Sequence, residues 1–433
     1  MKNFFIIADD LTGANDSGVQ LSKQGLSATV LFDLDKPLTG ALQEVVIVDT
    51  DSRALPQKEA YEAVFEASKF LYQDDCQHIY KKVDSTLRGN IGEEIAAVCA
   101  VFNPELVVIA PAFPKMNRIT LNGNQYVNGQ KVHQTEFGKD PKTPVRDSYI
   151  PGTLKNVSSS NISIVTKSVL EEHDSLGQYI LEVYAEGKTW FVCDAESNED
   201  LESIAQAFAG LKLKTLWAGS AGLIEYLPAE IGLGTKSRIT QGNQQITKTL
   251  TVSASLSNVT KKQLDLVKKL PDTLLLEMDP VELVTKKYDI SAVLAKAAGE
   301  NEIKHLVLYV DSSDENRNAT AALVSQFGMT PTAISETISI ELGYVAKRIL
   351  EAADDIDGLV LTGGDTAKAV CRQLNIHQMH LHSEVETGLP FGTVSDGIRD
   401  FGAVTKAGGF GNDHSLVNAL QSMVGKEEDY AEK

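Results

Sequence analysis

The chain has 433 residues, 42% of them hydrophobic, with 59 acidic side chains against 40 basic ones and a formal net charge of -19. That length accommodates two or three domains with a sizeable core, and the charge argues against a nucleic-acid or anionic-membrane partner, both of which need a basic surface. The four cysteines, Cys76, Cys99, Cys193 and Cys371, stand far apart with no C-x-x-C pair, so neither a zinc site nor a disulfide framework is signalled.

The N-terminus, MKNFFIIADD, has too short an apolar stretch for an export signal, and no run approaches a membrane span. A soluble cytoplasmic protein is expected. Phe4–Ala8 reads as a first strand that runs directly into ADDLTGAND. A helix follows, with Ala14, Val19 and Leu21 among its apolar positions and Gly25 just past its end. SATVLFD, VVIVDTDSR (45–53), HIYKKVDST (78–86) and LVVIAPAFP (106–114) read as further strands. KEAYEAVFEASKFLY between them has the 3.6-residue spacing of a helix. Residues 115–150 break this rhythm. They are polar and Gly/Asn-rich, and LNGNQYVNGQKVHQT predicts a hairpin turning at Asn128-Gly129.

Alternation resumes through ISIVTK, TWFVCDAES and TLWAGSAGL, then stops at 231–250, a polar stretch with several glycines and no apolar stripe. It restarts with LTVSASLSN, TLLLEMDP, HLVLYVDSS, DGLVLTGGD and GAVTKAGGFG. The expectation is an α/β protein of two α/β domains with mainly parallel sheets, at 1–230 and 248–420, with a ligand cleft between them. Residues 231–247 would be a hinge, and 421–433 a charged, disordered tail.

Ligands of open α/β sheets bind beyond the carboxyl ends of the strands. Three polar clusters fall there: Asp9 and Asp10; Asp49, Asp51, Ser52 and Arg53; and Lys81, Lys82, Asp84, Ser85, Thr86 and Arg88. Carboxylates there can orient hydroxyls, take a proton or hold a hard metal, and the cations can bind an anion. A substrate with hydroxyls and a carboxylate fits this mixture. The competing reading is that Asp10, Thr12 and Asn15 only cap the helix, and one of Asp9 and Asp10 is expected to do so. In the second domain, Gly363-Gly364-Asp365-Thr366 joins a strand to a helix. Such a turn either cradles phosphate on free helix amides or is a plain tight turn. Ser253, Ser255 and Ser257, and the loop Lys406–Gly411, repeat the theme of small residues at strand ends. Asp396 in GLPFGTVSDG either serves magnesium or ends a turn. His133, with Thr135 and Glu136, reads as a solvated loop histidine, and HQMHLH, with His377, His380 and His382, as a surface or interface segment.

Together, ADDLTGANDSG (8–18), KKVDSTLRGNIG (81–92), APAFP with NR-x-T (110–120), G-x-QYVNG (123–129), TEFGKDP (135–141), GSAGL (219–223), SASLSN (253–258), TGGDTA (362–367) and KAGGFG (406–411) make the chain resemble the four-carbon acid sugar kinase family. The resemblance implies an N-terminal acid-sugar-binding domain, a C-terminal nucleotide-binding domain, and ATP- and Mg2+-dependent phosphorylation of a terminal hydroxyl. D-threonate is the expected substrate and D-erythronate the alternative. It implies substrate binding by Asp9, Asp10, Arg53, Lys82, Val83, Asp84 and Ser85, and nucleotide binding by Ser255, Gly363, Gly364, Asp365, Thr366, Gly408 and Gly409. No residue is assigned to the metal. Arg53 or Lys82 would pair with the substrate carboxylate, and Asp84, Asp10 or Asp365 would take the proton. A homodimer is an open expectation with no legible interface. The rival readings are an α/β dehydrogenase, for which no dinucleotide fingerprint is found, and a non-catalytic sugar-acid sensor.

Overall fold

The computed structural model describes residues 3–34, 36, 43–73, 76–140, 142–157, 161–172, 175–233, 246–255, 257–298 and 302–425. The hinge expected at 231–247 therefore falls largely outside the described residues, as does most of the expected tail. The chain divides into two compact units, Met1–Ile239 and Thr240–Lys433.

The first unit contains β1 (Phe4–Ala8), β2 (Ala28–Leu31), β3 (Val45–Asp49), β4 (His78–Lys82), β5 (Leu106–Ala110), β6 (Arg118–Leu121), β7 (Asn124–Val127), β8 (Gln130–Lys131), β9 (Ile162–Val165), β10 (Trp190–Cys193) and β11 (Thr215–Gly219). Its main sheet has the order β2-β3-β1-β4-β11-β5-β10-β9, and every pairing in it is parallel. FFIIA, ATVL, VVIVD and LVVIA are buried at every position. Short, wholly buried and mostly apolar runs of this kind belong to strands covered by helices on both faces. The helix Gln57–Leu71 shows how the cover is made: Ala60, Val64, Ala67 and Leu71 form its buried stripe.

The chain leaves β1 toward β2 and β3 on one side and reaches β4 on the other, so β1 is a topological switch point. Such points open a crevice at the strand's carboxyl end. The helix Leu11–Lys23 starts there and ends as the sequence indicates, with Gly25 at φ +82° just past its last turn.

The irregular segment folds into a separate antiparallel sheet, β6-β7-β8. Asn128 (φ +49°) and Gly129 (φ +78°) form the expected turn between β7 and β8. A second Asn-Gly pair, Asn122 (φ +49°) and Gly123 (φ +69°), turns β6 into β7.

The second unit contains β12 (Thr249–Ser253), β13 (Thr273–Glu277), β14 (His305–Tyr309), β15 (Gly358–Thr362), β16 (Gln378–Glu384), β17 (Pro390–Ser395) and β18 (Asp400–Lys406). Its order is β13-β14-β12-β15-β18-β17-β16. The pairings are parallel as far as β18 and antiparallel through β17 and β16. The switch point is β12, between β14 and β15. The HQMHLH segment, expected at the surface or an interface, runs into the outer strand of this meander: His382 Nε2 lies 2.7 Å from Thr393 Oγ1 across the β16–β17 pair. Asp396 accepts the amides of Ile398 (2.8 Å) and Arg399 (2.7 Å), so its carboxylate forms the turn into β18.

Candidate functional site

In the first unit β3, β1 and β4 are parallel neighbours, so the three polar clusters lie along one sheet edge. Main-chain bonds lock their loops together: Thr50 N donates to Ala8 O (3.0 Å) and Arg53 N to Asp9 O (3.2 Å). Arg53 then closes on both aspartates. Its Nε and Nη2 form a fork on Asp9 (2.7 and 3.0 Å), and its Nη1 donates to Asp10 Oδ2 (2.6 Å). Asp10 Oδ1 accepts Gly13 N (2.8 Å), which makes Asp10 the helix cap of the pair. Burial alone would push Asp9, only 2% exposed, upward. The Arg53, Lys81 and Lys82 charges outweigh that and hold its carboxyl below the usual range.

Asp84 is the second hub. It accepts Thr86 N (3.1 Å), Thr86 Oγ1 (2.9 Å) and Arg88 Nε (2.5 Å). Its burial would raise its pKa, yet the positive charges of Arg53, Arg88 and Lys82 hold it well below the carboxylate range. Val83 is buried, with its amide on Gly219 O (2.9 Å). Its carbonyl accepts the Lys82 ammonium (3.1 Å). That ammonium lies over the start of the helix Leu11–Lys23, where a Cβ added at Gly13 would come within 2.8 Å of Nζ. Beneath this layer Lys81 and Glu94, 0% and 2% exposed, form an ion pair of 2.8 Å, and Ser52 Oγ donates to Glu94 (2.7 Å).

Ser85 receives contacts that sequence reasoning did not foresee. Arg118 Nη1 in β6 donates to its Oγ (2.5 Å), and Gln125 Nε2 in β7 to its carbonyl (2.7 Å). The irregular segment thus braces the substrate loop; NR-x-T was the only local sign of it. His133, by contrast, is tied to Ser148 (Nδ1 to Oγ, 2.8 Å) and belongs to the scaffold of that segment.

In the second unit the switch point collects the other set. Ser253 ends β12 and Thr362 ends β15, and both hydroxyls are buried with no hydrogen-bond partner among the described residues. Gly363, at φ +96°, caps the helix Gly364–Gln373, a conformation that only glycine adopts without strain. Its amide donates to Lys406 O (2.8 Å). Asp365 is exposed in the first turn of that helix, and Thr366 is buried. Ser255 and Gly408 meet: a Cβ on Gly408 would come within 2.5 Å of Ser255 Oγ. Cβ atoms on Gly364 and Gly409 would meet nothing within 4 Å.

The carbonyls of the loop after β18 are turned inward. Lys406 Nζ donates within 3.3 Å to Ala407 O, Gly408 O, Phe410 O and Thr260 Oγ1. Thr260 Oγ1 donates to Gly408 O (2.6 Å), and Gln263 Nε2 to Phe410 O (3.1 Å) and Asn412 O (2.7 Å). Burial lowers the Lys406 ammonium to about 8, against a partial upward pull from Glu386.

A family model described as a sugar-binding N-terminal domain matches residues 4–227, and one described as a nucleotide-binding C-terminal domain matches residues 250–416. The D-threonate kinase of Salmonella typhimurium is 35% identical over 96% of this chain and 97% of its own. The chain belongs to the four-carbon acid sugar kinase family. Other relatives are the D-erythronate kinase of Heliobacterium modesticaldum, 29% identical over 98% of both chains, and the 3-oxo-tetronate kinase of Actinobacillus succinogenes, 27% identical over 94% of this chain and 96% of its own. A solved structure from Salmonella typhimurium aligns with a TM-score of 0.81 at 22% identity, covering 98% of this chain and 100% of that one. A Haemophilus influenzae protein aligns at 0.75 and 23%, covering 97% and 100%. Both likenesses speak to the fold.

Membership of the four-carbon acid sugar kinase family makes this protein an enzyme of the phosphotransferase class, and ATP use follows from kinase chemistry. No helix among the described residues is long and apolar enough to cross a membrane.

The clamp at Lys406 gives a pH prediction for such a kinase. A neutral amine loses one of three donors, so the KM for ATP should rise as pH passes about 8. Stability should move the other way: between about 8 and 10.4 the unfolded chain binds the extra proton, so this residue's contribution grows with pH. Initial rates and urea midpoints across pH 7–10, for the wild type and Lys406→Arg, measure both. An ATP KM that stays flat in the wild type to pH 9.5 would remove the clamp's role.

Proposed function

We propose that this protein transfers the γ-phosphoryl group of ATP to the terminal hydroxyl of a four-carbon sugar acid, D-threonate giving 4-phospho-D-threonate, with D-erythronate the alternative acid. The observation that carries this reading is the 35% identity, over nearly the full length, to the D-threonate kinase of Salmonella typhimurium.

In this reading the acid lies at the β1 switch point, with its hydroxyls oriented by Asp10 and Asp84. Of the two cations considered for the carboxylate, Lys82 is the better placed. Arg53 already commits three of its five N–H donors, one on each nitrogen, to Asp9 and Asp10. Lys82 is bonded only to the Val83 carbonyl among the described residues. Arg53 then acts by fixing Asp9 and Asp10.

ATP, held by Ser255, Gly363–Thr366 and Gly408–Gly409, supplies the phosphoryl group. The buried Ser253 and Thr362 hydroxyls and the glycine positions where an added Cβ meets only open space fit a phosphate chain against a helix N-terminus. Magnesium fits as a companion of those phosphates: no group of three or more His, Cys, Asp or Glu forms a protein metal cage among the described residues. Mg2+ of this kind keeps most of its ligands from water and phosphate. It would neutralise developing charge, with Asp365 as the nearest carboxylate to the glycine amides.

The attacking hydroxyl's proton needs an acceptor. Asp84 is a poor base because neighbouring cations hold it ionised far below neutral pH. Asp10 has one oxygen on Gly13 N and the other on Arg53. Asp365, in the first turn of the helix Gly364–Gln373, is the third candidate for the role.

The test is ADP release with ATP and magnesium over both enantiomers of threonate and erythronate, and longer aldonates. Turnover with D-threonate above the rest is expected. Preference for D-erythronate would move the substrate by one stereocentre, and no ADP with any four-carbon acid would overturn the kinase reading. In the same assay Gly364→Ala should raise the KM for ATP at least about tenfold while leaving that for the acid alone, because its methyl meets ligand rather than protein. An unchanged ATP KM would displace the nucleotide from this loop.

A further inference from the structure

Three guanidinium groups gather around the substrate loop, and their commitments differ. Arg53 pairs with both Asp9 and Asp10. Arg88 pairs with Asp84 at 2.5 Å and Asp140 at 3.5 Å. Arg118 has no carboxylate within ion-pair distance among the described residues: its Nη1 donates to Ser85 Oγ, and its buried Nε has no partner at all. Burial, with the Arg88 charge beside it, lowers its pKa despite the opposing pull of Asp84, Asp16 and Glu136.

A partly buried guanidinium whose one acceptor is a hydroxyl and whose Nε is buried without a partner among the described residues is left with donors to fill. Arg88 and Arg118 both lie over the Phe137 ring, at 5.3 and 6.0 Å, and its π face attracts both charges. Gln125, which also donates to Ser85, is itself held by Thr120 (2.6 Å). Ser85 is thus approached by Arg118 from β6, while Lys82 at the start of the same loop carries an ammonium with no ion-pair partner among the described residues. Two cations lacking carboxylate partners, flanking one four-residue loop in a protein of net charge -19, form a local anion receptor.

Resting on the sugar-acid reading above, we propose that Arg118 joins Lys82 in binding the carboxylate of the acid beside Ser85 and so favours an acid over a neutral polyol as substrate. The planar guanidinium suits a carboxylate. A neutral polyol would leave this guanidinium without a counter-charge. A site built on a buried charge discriminates strongly against a ligand that lacks its counter-charge.

The experiment compares wild type, Arg118→Gln and Arg118→Lys with D-threonate and with threitol, which lacks the carboxylate, and measures D-threonate binding by calorimetry without nucleotide. Loss of one charge-assisted contact should weaken D-threonate binding and raise its KM about 10- to 150-fold in Arg118→Gln. The KM for ATP should not move, and threitol should lose far less than D-threonate or gain, so acid preference falls, and Arg118→Lys should recover part of it. A merely structural role would depress both substrates together. Equal losses for D-threonate and threitol, or D-threonate affinity unchanged in Arg118→Gln, would overturn the assignment. If the wild type binds D-threonate through Arg118 yet releases no ADP, the kinase reading fails and the receptor stands. Should Arg118→Gln not fold, the ratio of the two substrates in Arg118→Lys decides.

Discussion

Arg53→Ala should destabilise the first unit by about 3–5 kcal/mol and abolish detectable turnover. The substitution removes the shared partner of Asp9 and Asp10 at the switch point and leaves two carboxylates facing each other, one of them 2% exposed. Breaking a buried ion pair from one side costs this much because the remaining charge has neither water nor counter-ion. The loss follows pH in a defined direction. Asp9 has a depressed pKa in the folded state, so its stabilisation is fully present above about 4 and fades as pH falls below that value. Urea unfolding at pH 7 and pH 3 reads the effect: the gap between wild type and variant should narrow at the lower pH. A variant as stable as the wild type, with only a weakened acid KM, would instead make Arg53 a direct substrate ligand.

Asp84→Asn should lower kcat/KM for the sugar acid by at least about 100-fold while leaving the KM for ATP within about twofold. Asparagine keeps an acceptor for Thr86 but removes the charge that holds Arg88 and balances Arg53 and Lys82. Misplacing substrate-orienting groups by about an ångström costs this order of rate. The pH profile separates orientation from base catalysis. Asp84 is held ionised well below the usual range, so the wild-type profile between pH 5 and 9 should carry no limb that the substitution removes. A limb present in the wild type and absent from Asp84→Asn would make Asp84 the base.

Much of the architecture was legible because its signals are local. Runs such as FFIIA and VVIVD declare doubly covered parallel strands, and their polar sequels mark the edge where ligands bind. The Asn128-Gly129 turn could be read from two residues, since both must adopt positive φ. The meander of β16 and β17 was missed: HQMHLH and GLPFGTVS alternate too weakly, and their histidines and glycines read as surface chemistry.

Local pattern therefore yields the inventory: two α/β halves, the loops at their strand ends, and the residue types those loops carry. Only the packing of remote segments shows which of these residues already have partners. Arg53, Arg88 and Arg118 look equally available in a string of letters. Their roles part only because β1, β3 and β4 lie side by side, which pairs Arg53 with Asp9 and Asp10, while the β6–β7 hairpin brings Arg118 to Ser85 across 33 residues of chain. Lys406 likewise becomes a clamp only when its loop folds back around it and the helix Asn258–Val267 supplies Thr260. Hydrogen-bond and charge partnerships depend on distances between remote segments. Periodicity and local propensity fix the elements and carry no record of which elements become neighbours.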